Sequence, residues 1–156
     1  MGYYASYKAV FDAIKTALVY VPAVPPEGED RGSPAQGVES IKTVVLGERF
    51  TVGGLPKAVI NAEPSPIGQL TMGDVTETKV RGSIVLVILE YEPKDWFDDI
   101  IAVMGDVVDA LLADRSLGGA AFDCIPVGFA PGEVKFKEKV FYGGVVRWEA
   151  ILHYVP

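Results

Sequence analysis

The residue types that could do chemistry are few in this chain, and most sit on one predicted helix. Asp95 with Asp99, and Asp106 with Asp109, are spaced so that two carboxylates meet on a helix face. Such a pair can hold magnesium or share a proton as an acid–base couple. Neither pair has a histidine or a third oxygen ligand close by in sequence, so a solvated face is expected. His153 is the only histidine, and no Ser or Cys nucleophile is tied to it by a local motif. Cys124 is the only cysteine. It can form neither an internal disulfide nor a cysteine-built zinc site, and it reads as a small buried hydrophobe in a chain that folds under reducing conditions. The pairs Gly53-Gly54, Gly118-Gly119 and Gly143-Gly144 lack the spacing of a phosphate-cradling loop and read as turns. Glu27, Glu29 and Asp30 lack the ordered spacing of a calcium loop. No catalytic, cofactor-binding or metal-binding residue is assigned, and no enzyme is expected.

Charge narrows the partners. The chain carries 21 acidic and 14 basic residues, a net charge of −7, which suits it poorly for gripping phosphate backbones. DNA passing close by would be repelled. Lys135, Lys137 and Lys139 alternate along one predicted strand, with Phe136 between them. That basic face is expected to protect an edge strand or to meet acidic side chains of a partner, ahead of contacting nucleic acid. The longest apolar run, Ile84 to Leu89, is far too short to span a bilayer. No basic stretch followed by an apolar one opens the chain, so no secretory signal is expected. Gly2 and Ser6 match the N-myristoylation pattern. Tyr3 and Tyr4 fit helix packing instead, no polybasic stretch follows, and no membrane partner is expected.

The elements that must position these residues begin with the stretch from Pro93 to Gly119. Trp96, Ile100, Met104, Val107 and Leu111 recur at helical spacing, with Phe97, Ile101, Val108 and Leu112 beside them. Asp95, Asp98, Asp99, Asp106 and Asp109 fall on the opposite side. Pro93 and the acidic first turn suit the helix start, and Gly118-Gly119 supplies the stop. The apolar arc covers roughly half the circumference, more than the stripe of about 100° that one contact needs. The helix is therefore expected to pack on a sheet and also against something else.

The 156 residues together suit one domain, 1–156, burying about 70% of its unfolded surface. Met1 to Val21 predicts an amphipathic helix through Tyr3, Tyr7, Val10 or Phe11, Ile14, Leu18 and Val21. Pro22 to Ser40 and Glu63 to Thr78 predict long irregular loops rich in Pro and Gly. Strands are predicted at Ile41 to Leu46, Arg49 to Val52, Pro56 to Ala62 and Lys79 to Tyr91, the last central and covered on both faces. Three antiparallel strands should follow the second helix. They would be joined by a type II turn at Ala130-Pro131-Gly132-Glu133 and a two-residue turn at Gly143-Gly144, with Pro126 marking an edge or bulge. The fold class expected is α+β: a mostly antiparallel sheet with two helices packed on one face and long irregular loops.

From Asp95 onward the chain resembles the tail-terminator, or tail-completion, proteins of long-tailed double-stranded DNA viruses. The features that carry the resemblance are a long helix ending in Leu111-Leu112-Ala113-Asp114-Arg115-Ser116-Leu117-Gly118-Gly119, a strand with Phe122-Asp123-Cys124, and a closing strand with Trp148, Ala150 and Leu152. Leu55-Pro56-Lys57-Ala58-Val59-Ile60 before a long apolar strand, and an N-terminal amphipathic helix, fit the same pattern. The resemblance implies a non-enzymatic virion protein of the tail and neck, assembled in the host cytoplasm. It would form a ring, expected to be hexameric, that caps the tail-tube protein, ends polymerisation and meets neck or head-completion proteins, with DNA passing through unbound. Trp96, Phe97, Ile101, Val108 and Leu112, with the loop residues Ile67, Leu70 and Met72, are the expected interface. Asp95, Asp98, Asp99, Asp106 and Asp109 would face the lumen or the outer solvent. The alternatives are another head–tail joining or tail-tube subunit, or a small-molecule binding domain or enzyme. A cavity beside His153 or the helix aspartates would favour the last.

Overall fold

The computed structural model describes residues 3–47, 54–65, 76–89, 96–136 and 139–154. Helix α1 spans Tyr3–Leu18, strand β1 Thr43–Leu46, β2 Lys57–Ala62 and β3 Thr76–Leu89. Helix α2 spans Trp96–Ala113, and β4 Asp123–Phe136 and β5 Lys139–Tyr154 close the chain. The five strands form one sheet in the order β1-β2-β3-β5-β4. Only β1 and β2 run parallel; the other neighbours are antiparallel. The α+β architecture is as the sequence predicts. The residues predicted as a strand at Arg49 to Val52 lie outside the described part.

Both helices bury most of the stripe that their periodicity marks, but Val21, expected to close the first stripe, lies beyond the end of α1 and is exposed. Val10, Phe11, Ile14 and Leu18 of α1, and Ile100, Met104, Val107 and Leu111 of α2, are buried in one core with Ile84, Leu86, Cys124, Val146, Trp148 and Ala150. Phe11 meets the Trp148 ring edge-on, with centroids 5.2 Å apart. Each such aliphatic side chain contributes about 1.5–3 kcal/mol relative to exposure. Helix α1 packs toward β1 and β5, and α2 toward β4 and β5, so the two lie side by side on one face. On the other face Val87, Val134 and Phe141 form a second buried cluster, joined by Leu55 and Val85. Central β3 is thus covered on both sides along its apolar half. Its other half exposes Lys79, and Arg81 is held by Glu149 at 3.0 Å.

The last part of the chain departs from the predicted turns. It makes two long strands rather than three short ones. Pro131 pairs with Gly144 and Gly132 with Gly143, in the middle of the β4–β5 ladder. Gly143 and Gly144 serve close approach and not chain reversal. A Cβ on Gly143 would overlap the Leu86 carbonyl oxygen of β3, and one on Gly144 would lie 2.6 Å from Met104 Sδ of α2. Pro126 does mark an edge and a bulge: β4 is outermost, and its register shifts between Pro126 and Gly128. The reversal falls instead between Phe136 and Lys139. Lys135 and Lys139 therefore stand on different strands. Lys135 pairs with Val140 and Phe136 with Lys139, which puts the two lysines on opposite faces. The single basic face expected from their alternation does not form; Lys137 lies outside the described residues.

Pro22 to Ser40 also departs from its predicted irregularity. It is an exposed arm whose two sides pair at Val21 with Gln36, Val24 with Ser33 and Glu27 with Asp30. At the first two pairs, each N–H donates to the other residue's carbonyl at 2.8–2.9 Å. Pairing at every third residue follows from the prolines. Pro22, Pro25 and Pro26 have no N–H to give and favour an extended helix of about three residues per turn. Val21, Val24 and Glu27 then point their backbone groups the same way. The foot of the arm is fixed by buried Val38, whose N–H donates to Leu18 O at 3.1 Å.

Candidate assembly interface

The lone histidine and the lone cysteine lie in different surroundings, one at the surface and one in the core. His153 is exposed and stacks on exposed Phe122, with ring centroids 4.5 Å apart. Cys124 is fully buried, and its thiol is pushed up to about 12, first by burial and then by the adjacent Asp123 carboxylate. It packs as a small hydrophobe and gives no thiolate at neutral pH, as expected from sequence. Among the described residues no group of three His, Cys, Asp or Glu side chains is placed to hold a metal. No described helix is long and apolar enough to cross a membrane.

What the structure does assemble is a surface. The outer flank of α2, away from α1, carries Phe97, Ile101, Val108 and Leu112. Phe97 is 54% exposed and Leu112 46%, while Ile101 and Val108 are half-buried. Because α2 packs on β4 and β5, this flank faces the β4 edge of the sheet. There Val127, at the bulge, and Phe129, 43% exposed, add apolar surface. The wide arc seen in sequence is therefore half core and half exposed. Trp96 opens α2, but its side chain, like Ile67, Leu70 and Met72, lies outside the described part.

Asp98, Asp99, Asp106 and Asp109 are all exposed, on the side opposite the core stripe; Asp95 lies outside the described residues. Asp106 and Asp109 do more than face solvent. They border a cleft of about 850 Å³ between the C-terminal halves of α1 and α2, walled by the foot of the arm. Ala13, Ala17, Ala110 and Ala113 keep the helices' facing sides small, and Val38 and Leu117 add apolar lining. Asp106, Asp109 and Asp114 supply carboxylates from the α2 side and Glu39 from the arm; among the described residues no Lys or Arg lines it. Both helices end here, with the negative ends of their dipoles. The cleft thus favours positive charge. Sequence reading could find the aspartates but not the cleft, which joins three segments distant in the chain.

The corner below the cleft is tightly tied. Asp114 Oδ1 accepts from the Ser116 hydroxyl at 2.6 Å and from its N–H at 3.1 Å, and Oδ2 accepts from Gly118 N–H at 2.8 Å. Leu117, Gly118 and Gly119 all have positive φ, and the buried Leu117 side chain holds the turn in place. Helix α2 ends at Ala113, several residues before the glycines expected to stop it, because Asp114 takes over the chain's N–H groups. Arg115 then reaches β4, donating through Nε and Nη2 to both Asp123 oxygens at 2.7 and 2.6 Å.

These contacts hold both carboxyls below their ordinary value of 3.8. The Ser116 hydroxyl and the Gly118 N–H lower Asp114, and the Arg115 hydrogen bond lowers Asp123. A folded pKa below the unfolded one gives stability that is present above the ordinary value and lost as pH falls through the folded one. Arg115→Ala should therefore lower the melting temperature at neutral pH, and the gap from the unmodified protein should close below pH 3.8. Thermal melts across that range check it; a gap independent of pH would deny the latch its charge-dependent role.

Compared with known proteins, the chain matches no protein-family model and no curated sequence.

Proposed function

We propose that this chain is a non-enzymatic structural subunit that closes into a ring, acting as the tail-terminator proteins it resembles in sequence act. In this reading the ring, a hexamer, caps a viral tail tube, ends its growth, joins it to the neck or head, and lets DNA pass unbound. The observation that carries the reading is the apolar flank of α2, Phe97 to Leu112, set along the edge formed by β4. Exposed apolar side chains concentrated on one edge mark a surface for a partner. The opposite side of the molecule bears α1 and the exposed arm, so contact between copies joins unlike surfaces, and such contacts close rings when the rotation permits. The remaining virion subunits, tube or joining proteins, are the nearest alternative. Electron microscopy of the purified protein separates them: discrete rings with an open centre are expected, whereas long stacks would identify a tube subunit.

One observation favours a binding module instead, namely the cleft beside Asp106 and Asp109. With four carboxylates at its border, a ligand there would be a cation. A small organic cation that binds the isolated subunit and is displaced by Asp106→Asn would support that reading.

A further inference from the structure

We propose that the proline side of the arm, Val21 to Glu27, of one copy lies along the outer flank of α2 in the next copy, seated over Gly105. This contact rests on the ring reading and specifies which surfaces meet. Gly105 is a residue that its own subunit does not explain. It stands in the interior of α2 with ordinary helical backbone, where glycine destabilises a helix relative to alanine. Among the described residues nothing lies within 4 Å of where its Cβ would be, so alanine would fit the folded subunit. Gly105 is one helical turn from both Ile101 and Val108. It therefore leaves a notch in the apolar flank that runs from Phe97 to Leu112. A missing side chain on a helix surface lets the backbone of another chain come close.

The arm has the shape and chemistry to fill that notch. Extended proline-rich segments dock along apolar surfaces lined by aromatic rings, and Phe97 of α2 and Phe129 of β4 supply exposed rings along this edge. Val21 to Glu27 is about 19 Å long at about 3.1 Å per residue. Phe97 to Leu112 is about 22 Å long at about 1.5 Å per residue of helix. The arm is already ordered by its own pairing. Gly32 and Gly37 fit it closely, since a Cβ on either would overlap a carbonyl oxygen, of Val24 and Val19 respectively. Docking then costs little further ordering. Area also favours the arm over a second flank. Phe97 and Phe129 each leave roughly 100 Å² in water, about half of an aromatic side chain. Two such flanks face to face would bury too little against the roughly 800 Å² per partner of a stable contact. The arm brings more: every residue from 21 to 36 except Gly32 is exposed, and Val21 and Val24 expose about half of their surface.

The arm does not lie on the flank of its own subunit. Its foot is tied to the end of α1 and walls the cleft on the α1 side of α2, whereas the flank is on the other side of that helix. The contact therefore joins unlike surfaces of two copies, the head-to-tail kind that closes a ring.

Cysteine cross-linking tests it directly. Val24→Cys places a thiol on the arm and Ala102→Cys one beside Gly105, both at exposed positions, while Cys124 is buried. The two variants, mixed where the wild type assembles and oxidised with diamide, should give a disulfide-linked dimer of one variant with the other. Neither variant alone should give a dimer. An assembled protein that yields no mixed dimer, or that links either variant to itself, would overturn this contact and leave the ring reading standing. Gly105→Gln gives a second readout. Circular dichroism should show it folded, yet it should need about tenfold more protein to assemble, because the longer side chain fills the notch. Assembly at the wild-type concentration would overturn the contact. A wild type that stays monomeric would overturn the ring reading and this contact with it.

Discussion

Gly143→Ala is expected to cost the protein more than about 3 kcal/mol of stability. Gly143 sits where β5 passes between its two neighbours, paired with Val87 of β3 and Gly132 of β4. A methyl group there would overlap the Leu86 carbonyl oxygen. That oxygen belongs to the backbone of the central strand, so no side-chain rotation relieves the overlap. Overpacking usually costs about 1–3 kcal/mol, and more where backbone must move. A domain stabilised by about 5–15 kcal/mol has little room for a break in its central ladder. Gly144→Ala offers the control. Its added methyl meets the flexible Met104 side chain, though Ala130 O also lies 2.6 Å away, and the protein should survive with a loss of about 1–3 kcal/mol. Urea unfolding followed by circular dichroism compares the two. If Gly143→Ala lost less than about 1 kcal/mol, the strand register would be wrong and a turn at Gly143-Gly144 would regain its claim.

Phe97→Asp with Leu112→Asp should leave the fold intact and abolish assembly. Both side chains are about half exposed on α2, outside the buried stripe of Ile100, Met104, Val107 and Leu111. Surface changes of this kind usually shift stability by no more than about 0.5 kcal/mol. Buried at an interface, an aromatic or large aliphatic anchor is worth about 2 kcal/mol or more. Losing two, and placing a charge in each position, should weaken assembly by about three orders of magnitude. Sedimentation velocity across a concentration series reads the effect. Unchanged assembly in the double variant would place the contact elsewhere on the molecule.

The sequence was most readable where a period had to be satisfied by one face. The helical repeat from Ile100 to Leu111 names the buried side of α2, and the surplus in Phe97, Ile101, Val108 and Leu112 is visible as an arc too wide for one contact. Turn chemistry misled. Pro131-Gly132 and Gly143-Gly144 satisfy turn preferences locally, yet they face each other across two strands, and it is the nearness of Leu86 and Met104 that explains why Gly143 and Gly144 stand there. The arm shows the reverse case. Prolines argued against regular pairing, but their spacing leaves Val21, Val24 and Glu27 free to pair at a three-residue period. The cleft was not readable at all, because Ala13, Glu39 and Asp109 are brought together only by packing.

The proposed role requires copies of this chain to close into a ring. Native mass spectrometry of the concentrated protein tests it most directly. A closed ring gives one dominant species at a fixed multiple of the 16.8 kDa chain, six for the hexamer expected from the tail-terminator resemblance, with little beyond it. A protein that remains at the mass of one chain at hundreds of micromolar, or that spreads into an open-ended ladder of masses, would contradict it.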